Sequence, residues 1–381
     1  MHKRIFIIAG EASGDFLGAQ LLRSLHKTNQ HLEVHGIGGA QMAASGLQSL
    51  FPMTDLSVMG ISEIVPSLFK ILKRIKQTKE AIRELQPDVL ITIDSPGFCL
   101  KIAKYAKQLG IPVVHYVAPS VWAWRPGRAR KLAKDIKLNH LLCLLPFEPP
   151  YFTIHGMPAT FVGHPITEVV LPNDANFRNM NQISAEATLI CLLPGSRKNE
   201  VQQHLKIFLE AVTKLPLTRR IEVVIPTLPH LLPYIEPLLK DAAVTVRVIT
   251  SVEQKWQAFM QSSIALAASG TVSLELAYVG APQVIAYKVS KLTYWLAKCL
   301  VKVKYASLVN ILNKQMVVPE YLQNQCTAEH LAQQMENILS DSLYQKQVRK
   351  LYTEAINALR PQHGCSSDIA AAVVNDLLVK V

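Results

Sequence analysis

The sequence predicts an α/β protein with two parallel-sheet domains, and three observations lead to this fold class. Short apolar runs alternate with amphipathic segments along both halves of the chain, which is typical of a parallel sheet covered by helices on both faces. The 381 residues are more than a single hydrophobic core normally serves. Between the two halves, the segment 171–187 is polar and rich in asparagine, and we expect a linker there.

The first half is expected to alternate strictly between strands and helices. Each predicted strand is an apolar run that ends at a turn or polar residue: 4–9, 32–37, 88–94, 113–117 and 141–145. The predicted helices are amphipathic, except for a short proline-led one at the end: 16–26, 62–85, 98–109 and 147–155. The region from 38 to 61 is less regular.

The second half repeats this rhythm without repeating the sequence. Strands are predicted at 189–193, 222–225, 245–249, 264–267 and 283–287. A helix is expected to begin near Asn199, because Val201, Leu205 and Phe208 are spaced as on one helix face. An amphipathic stretch then runs to about residue 312, and the tail 328–381 is helical by composition.

Composition indicates an anionic partner and a reducing compartment. The net charge is +12 and the pI is about 9.4, which suits nucleic acid, phosphorylated metabolites or an anionic membrane face. Six scattered cysteines without a C-x-x-C pair indicate reduced, cytosolic thiols and argue against a disulfide framework or a zinc site. The apolar run near the N-terminus is too short for a signal peptide, and no stretch is expected to span a membrane.

The strand at 189–193 leads into a candidate phosphate site. Pro194 and Gly195 end the strand, and Ser196 and Arg197 stand just before the next helix. The start of a helix directs backbone N–H groups and a positive dipole at one spot, and arginine adds a planar cation that fits phosphate oxygens. The alternative is an ordinary turn with a surface arginine. Neither standard nucleotide-binding glycine motif is present.

Asp94 is the candidate catalytic residue of the first half. It ends an otherwise apolar strand, and ligands of open α/β sheets bind beyond the carboxyl ends of the strands. A carboxylate in that place can act as a general base. The structural alternative is that Asp94 caps the helix after it, since aspartate is a favoured N-cap residue.

A second candidate loop in the first half is 10–15. Gly10 and Gly14 would let the backbone approach a ligand closely, and the acidic Glu11 and Asp15 would suit hydroxyl or amine groups. The alternative is a turn in which Ser13 or Asp15 caps the helix. A third candidate is the small-residue turn 268–271, where Ser269, Gly270 and Thr271 precede Glu275, with a buried helix start as its alternative.

Seven motifs occur in one order along the chain, and together they resemble the lipid-A-disaccharide synthases. They are Gly10-Glu-Ala-Ser-Gly-Asp15, Val58-Met-Gly60, Ile93-Asp-Ser-Pro96, His115-Tyr-Val-Ala-Pro-Ser-Val-Trp-Ala-Trp-Arg125, Leu144-Leu-Pro-Phe-Glu148, Leu192-Leu-Pro-Gly-Ser-Arg197 and Ala268-Ser-Gly-Thr271. Each motif alone is weak, but the tryptophan segment is specific and the ordered set is strong. The resemblance runs from about residue 3 to about residue 315.

The resemblance implies a glycosyltransferase of the GT-B type, with two Rossmann-like parallel-sheet domains facing a cleft. The acceptor side would be 1–170, the UDP-sugar side 188–315, and the helices of 316–381 would pack back across both. The implied reaction joins UDP-2,3-diacylglucosamine to 2,3-diacylglucosamine 1-phosphate through a β-1′,6 linkage and releases UDP. It inverts the anomeric centre and needs no metal or other cofactor, and a homodimer on the cytoplasmic face of the inner membrane is compatible with it.

The resemblance also assigns roles to individual residues. Asp94 would be the base on the acceptor 6-hydroxyl, Arg197 with Ser196 would hold the UDP phosphates, and Glu275 would bind the ribose. Ser269, Gly270 and Thr271 would line the phosphate site, and Asn310 matches a family position near the nucleotide. Gly97 departs from the family, where an aspartate is common, so a second acidic role at that place is in doubt.

Two segments that are both hydrophobic and basic are expected to contact acyl chains or an anionic membrane. In the first, apolar and cationic residues interleave along a helix: Val65, Leu68, Phe69, Leu72, Lys73 and Arg74. The second is 294–302. The alternative for both is a core helix with solvated lysines.

Two other functions remain open from the sequence. A UDP-sugar epimerase can share this two-domain fold and would convert its substrate without an acceptor. A basic nucleic-acid-binding protein would explain the net charge, but the chain has no recognisable nucleic-acid module and its charge is spread along the sequence.

Overall fold

The structure, a computed structural model, describes residues 3–56, 64–123, 127–216, 218–268, 270, 272–289 and 303–379, and only the backbone of 64–68. It divides into two compact units. The first comprises Met1–Glu168 and Leu359–Val381, and the second comprises Val169–Ala358. The division falls inside the segment 316–381, whose part up to Ala358 belongs to the second unit.

The first unit is built on a seven-stranded sheet in which every neighbouring pair is parallel. In chain order its strands are β1 (Lys3–Ala9), β2 (Leu32–Ile37), β3 (Gln48–Ser49), β4 (Val89–Ile93), β5 (Val113–Tyr116), β6 (His140–Cys143) and β7 (Ala159–Phe161). Their spatial order is β3-β2-β1-β4-β5-β6-β7. The five predicted strands are therefore present, and two short edge strands add to them.

Helices cover both faces of this sheet. They are α1 (Ala12–Thr28), α2 (Ala40–Ala43), α3 (Ile64–Leu85), α4 (Pro96–Gln108), α5 (Gly127–Asp135) and α6 (Pro150–Thr153), with 3₁₀ turns at Met53–Leu56 and Pro165–Glu168. Along β1, Phe6 and Ile8 enter the core beneath α3 and α4, while Ile5 and Ile7 enter the core beneath α1. This burial on both faces explains why the strand is continuously apolar.

The second unit contains a six-stranded sheet that is also entirely parallel. Its strands are β8 (Thr188–Leu193), β9 (Ile221–Pro226), β10 (Thr245–Ile249), β11 (Ile264–Ala267), β12 (Gln283–Tyr287) and β13 (Glu320–Leu322), in the spatial order β10-β9-β8-β11-β12-β13. The prediction of two parallel-sheet α/β domains is confirmed.

The helices of the second unit begin with a short one at α7 (Phe177–Met180). They continue with α8 (Lys198–Thr213), α9 (Leu232–Leu239), α10 (Val252–Gln261), α11 (Val272–Tyr278), α12 (Leu308–Asn313), α13 (Ala328–Ser340) and α14 (Ser342–Ala358), with 3₁₀ turns at Pro229–Leu231 and Gln323–Gln325. Helix α15 (Ser366–Val379) returns to the first unit and packs on α1, where Ser24 donates to Asp368 at 2.7 Å.

The predicted linker at 171–187 is not a free linker, and this prediction was wrong. Phe177 is fully buried in the second unit. The Arg178 guanidinium donates to the Gln261 side chain at 3.0 Å and to the Ser184 carbonyl at 2.8 Å. Hydrogen bonds from polar residues therefore hold this segment against α10. Such bonds leave no apolar periodicity in the sequence.

Both sheets reverse their strand order at one place. In the first sheet this switch point lies between β1 and β4, and in the second it lies between β8 and β11. Loops leaving neighbouring strands at a switch point diverge to opposite faces, so a crevice opens beyond the carboxyl ends, where ligands bind. The candidate residues Asp94 and Arg197 follow β4 and β8, one at each switch point.

Candidate active site

Asp94 is held at the first switch point by a sharp turn. Ala9 of β1 lies opposite Ile93 of β4, and the Asp94 N–H donates to the Tyr116 carbonyl at 2.9 Å. Asp94 and Ser95 have φ angles of +51° and +44°, a left-handed conformation that is uncommon for residues other than glycine. Each residue in this conformation costs free energy that the surrounding structure must offset.

The helix-capping alternative for Asp94 does not hold. The N-cap residue of α4 is Ser95, and its side chain makes no capping hydrogen bond. Burial raises the pKa of the Asp94 carboxyl above its ordinary value, opposed by a hydrogen bond from the Ser95 backbone. A raised pKa makes the carboxylate a better proton acceptor, which is what a general base needs.

Gly10 allows the two loops of this edge to approach each other. A Cβ atom on Gly10 would stand 2.2 Å from Ser95 Oγ, closer than any side chain could tolerate. Gly14 is less tightly confined, because a Cβ atom there would lie 3.3 Å from Ala9 Cβ and 3.5 Å from Ile93 Cγ2. The glycines of the first motif thus bring the start of α1 against the strand that carries Asp94.

The predicted loop 10–15 is mostly helical, so the expected helix start at residue 16 was too late. Helix α1 begins at Ala12, with Glu11 exposed at the N-cap and Ser13 in the first turn. Asp15 is buried, and its carboxylate accepts hydrogen bonds from the N–H groups of Gly39, Gln41 and Met42 at 2.7, 3.0 and 3.1 Å. Asp15 therefore anchors α2, while Glu11 stays the acidic side chain of this motif that solvent reaches.

Glu148, the last residue of a family motif to which the sequence assigned no role, joins the next two loops of this edge. Glu148 accepts from Trp122 Nε1 at 3.1 Å and from the Leu145 N–H at 3.0 Å. Trp122 also meets the Phe147 ring edge to face, with 5.2 Å between centroids. Trp122 is thus a packing residue, while Trp124 lies outside the described residues.

The burial of Glu148 predicts a pH dependence of stability. Burial raises the pKa of Glu148 from 4.5 to about 7, so the folded protein holds this proton more tightly than the unfolded chain. The stabilisation is complete below pH 4.5 and is lost as the pH rises to about 7. From pH 4.5 to 8, wild-type unfolding free energy should fall by up to about 3 kcal/mol more than that of Glu148→Gln. Urea unfolding at four pH values measures this, and parallel profiles for the two proteins would contradict it.

At the second switch point, the turn after β8 brings Arg197 to the start of α8. Arg197 is the N-cap residue, and its side chain is 80% exposed. Its guanidinium is paired within the same turn, because Nη1 donates to Glu200 Oε1 at 3.2 Å. The other carboxylate oxygen of Glu200 accepts from the Ser196 N–H at 3.0 Å.

A neutral histidine fixes this turn against the end of β12. His204 is fully buried, and its Nε2 accepts from the Lys288 N–H at 3.0 Å. Its Nδ1 therefore carries the proton and donates to the Pro194 carbonyl at 3.0 Å. Burial lowers the pKa of His204, which favours the neutral ring that these two bonds require.

The turn after β11 completes the second switch point. Ala268 donates to the Leu193 carbonyl at 2.8 Å, which places this turn beside the one that carries Arg197. Gly270 has φ +141°, and Ser269 and Thr271 lie outside the described residues. Glu275 of α11 receives a hydrogen bond from Lys255 Nζ on Oε1 at 2.9 Å, whereas Oε2 accepts none from any residue in the described ranges.

The side-chain amide of Asn310 is hydrogen-bonded entirely within the fold. Its side chain is fully buried, its Nδ2 donates to Val318 O and Glu320 Oε1, both at 2.7 Å, and its Oδ1 accepts from the N–H groups of Val317 and Val318. The amide has no hydrogen-bonding capacity left for a nucleotide. The expected direct role of Asn310 near the nucleotide is therefore replaced by a role in holding α12 to the start of β13.

Part of the first hydrophobic and basic segment is exposed on α3. Phe69 is 70% exposed and Leu72 is 49% exposed, and Lys73 lies beside them. Arg74 points elsewhere, because its Nε and Nη2 donate to Asp55, and its guanidinium lies 4.5 Å from the Phe51 ring centroid. The side chains of Val65 and Leu68, and the second segment up to residue 302, lie outside the described residues.

The described part of the chain offers neither a metal cluster nor a membrane span. No group of three or more His, Cys, Asp or Glu side chains there is placed to hold a metal ion. No described helix combines the length and the hydropathy that crossing a membrane requires.

Comparison with known proteins places the chain in one family over nearly its whole length. The family model described as lipid-A-disaccharide synthetase matches residues 5–374. The lipid-A-disaccharide synthase of Rhodospirillum centenum is 44% identical over 352 residues, covering 90% of this chain and 87% of that protein. The synthase of Gluconobacter oxydans is 40% identical, covering 98% and 90% of the two chains.

Solved structures that share the fold are much less similar in sequence. A putative UDP-N-acetylglucosamine 2-epimerase from Listeria monocytogenes has a TM-score of 0.68 at 12% identity, covering 100% of this chain and 98% of its own. The Staphylococcus aureus MnaA–UDP structure has a TM-score of 0.66 at 13% identity with the same coverage. At such identities the comparison shows the fold alone, which is of the GT-B type, and it does not favour the epimerase alternative. The motifs and the family match agree, and this chain belongs to the lipid-A-disaccharide synthase family of glycosyltransferases.

Proposed function

We propose that this enzyme joins UDP-2,3-diacylglucosamine to 2,3-diacylglucosamine 1-phosphate, forming the β-1′,6-linked lipid A disaccharide 1-phosphate and releasing UDP. The observation that carries the proposal is the match to one synthase family along almost the entire chain, with Asp94 and Arg197 at the two switch points. The proposed substrates are the donor and acceptor that this family's name and motifs imply.

Asp94 is proposed to act as the general base on the acceptor. Removing the proton from the 6-hydroxyl as it attacks the anomeric carbon makes the oxygen a stronger nucleophile, and attack from the face opposite UDP inverts that carbon. A positioned base is worth roughly 10²- to 10⁴-fold in rate. The raised pKa and the strained turn at Asp94 support this role.

The departing UDP is proposed to be stabilised by fixed positive groups. Arg197 would donate two parallel hydrogen bonds to phosphate oxygens, and the N-terminus of α8 would add its dipole. Glu275 Oε2 would accept a ribose hydroxyl, with Oε1 held by Lys255. The sequence has no Asp-x-Asp pair for a metal-held diphosphate, so we propose that turnover is unchanged by EDTA.

The exposed face of α3 is proposed to meet the anionic cytoplasmic face of the inner membrane. Exposed Phe69 and Leu72 beside Lys73 and Lys76 suit the interface between acyl chains and anionic headgroups. The variant Phe69→Ser/Leu72→Ser should sediment less with anionic vesicles than wild type while keeping its unfolding free energy. Equal sedimentation of the two proteins would contradict this surface.

The experiment that tests the reaction uses purified protein, the UDP-sugar, and the acceptor either present or omitted. Detergent keeps both lipids dispersed, and UDP and disaccharide are followed together. We expect UDP release only with acceptor, with one disaccharide formed per UDP. Release of UDP at the same rate without acceptor would be hydrolysis of the donor and would contradict the proposal. Conversion of the UDP-sugar into another UDP-sugar without acceptor would contradict it and would support the epimerase.

A further inference from the structure

The turn that is proposed to bind the diphosphate already contains a carboxylate of its own. Glu200 stands in the first turn of α8, and its side chain is 17% exposed. Its Oε2 accepts from the Ser196 N–H at 3.0 Å, and its Oε1 accepts from Arg197 Nη1 at 3.2 Å. The Tyr287 hydroxyl donates to the same Oε1 at 3.3 Å. Nothing in the proposed reaction uses this group.

The backbone of the turn is shaped around Glu200. Gly195 has φ +126°, and a Cβ atom built on it would lie 2.4 Å from Glu200 Cβ and 2.5 Å from Glu200 Oε2. Only glycine permits this approach. The carboxylate is therefore fixed inside the turn by its own packing and does not swing freely in solvent.

Glu200 accepts hydrogen bonds from the donors that a bound phosphate would use. A helix N-terminus stabilises an anion through its unpaired N–H groups and its dipole. Here the Glu200 carboxylate is that anion, and it accepts hydrogen bonds from the Ser196 N–H and from Arg197 Nη1. An incoming diphosphate must share or displace these bonds, and its charge is repelled by the carboxylate at short range.

We propose that Glu200 competes with the diphosphate for Ser196 and Arg197, weakens UDP binding, and so lets the product leave after transfer. The inference rests on the proposed UDP site and adds to it a residue that sets the affinity for the product. Glu200 acts through Arg197 and the turn, so it is a positioning residue and does not take part in bond making.

Calorimetric titration of UDP into wild type and Glu200→Gln tests this. The glutamine keeps the shape and one acceptor oxygen but removes the charge, so UDP should bind about threefold to tenfold more tightly. Glu200→Asp keeps the charge and should not tighten binding. Glu210→Gln removes a charge from the exposed side of the same helix and should leave the Kd for UDP unchanged. Glu200→Ser is a second neutral variant, used if the glutamine variant does not fold.

Two further readouts separate competition from a general change in the fold. Uridine has no phosphate, so its affinity should be the same in wild type and Glu200→Gln. In the transfer assay, UDP should inhibit the variant at a correspondingly lower concentration. Equal or weaker UDP binding by the neutral variant, or an equal gain for uridine, overturns the inference while the UDP site stands. A wild type that does not bind UDP overturns the proposed function and this inference together.

Discussion

Replacing Asp94 with asparagine is expected to lower kcat by roughly 10²- to 10⁴-fold, while the Kd for UDP stays within about twofold of wild type. The carboxylate loses its ability to take the acceptor proton, but nothing in the nucleotide turn of the other unit changes. Asparagine is a better replacement than alanine, because asparagine tolerates the left-handed φ of +51° at this position. The measurement is steady-state transfer together with calorimetric UDP binding.

A matched control lies at the other end of the same strand. Asp88 accepts a hydrogen bond from the Arg4 N–H at 2.7 Å, and an asparagine can still accept it. Asp88→Asn should therefore turn over like wild type. Asp94→Asn with full turnover would remove Asp94 from its role as base, and Glu11, exposed at the start of α1, would be the next carboxylate to test.

Replacing Arg197 with alanine is expected to weaken UDP binding by about tenfold to a hundredfold, the usual worth of hydrogen bonds to a charged group. Lysine should recover part of this loss, since it restores the charge without the planar fork. The unfolding free energy should hardly change, because Arg197 is 80% exposed and its pair with Glu200 is a surface ion pair.

The control for Arg197 is Lys206→Ala, which removes a cation from the exposed side of the same helix. Its Kd for UDP should match that of wild type. If Arg197→Ala and Lys206→Ala weaken UDP binding equally, the effect is one of overall charge, and Arg197 does not contact the phosphates.

The strands were readable from the sequence because buried parallel strands are continuous apolar runs, whereas the two switch points depend on the spatial order of the strands, which only the structure gives. Residues 189–193 and 88–94 illustrate this: the first run leads into the turn that carries Arg197, and the second ends at Asp94. The first residues of the helices were predicted less accurately than the strands. Helix α1 begins at Ala12, inside the glycine motif, where two glycines in five residues had indicated a loop.

What the sequence could not show is which polar side chains are already used by the fold. Asp15, Asn310 and Arg74 have the residue types of binding groups, yet α2, the start of β13 and Asp55 occupy them. Glu148 ends the motif that begins at Leu144, and Glu200 follows the motif that ends at Arg197, but only the folded geometry reveals what the two carboxylates contact. The pairing of polar groups distant in sequence has no periodic signal, unlike apolar burial.

The anomeric configuration of the product tests directly whether this enzyme is an inverting transferase. Wild type is incubated with donor and acceptor, and the isolated disaccharide is examined by proton NMR beside the measured UDP. We expect a β-1′,6 linkage and one UDP per disaccharide, because in the proposed reaction the acceptor hydroxyl displaces UDP in one inverting step with Asp94 as base. An α-linked product, or an altered UDP-sugar with no disaccharide, would contradict it.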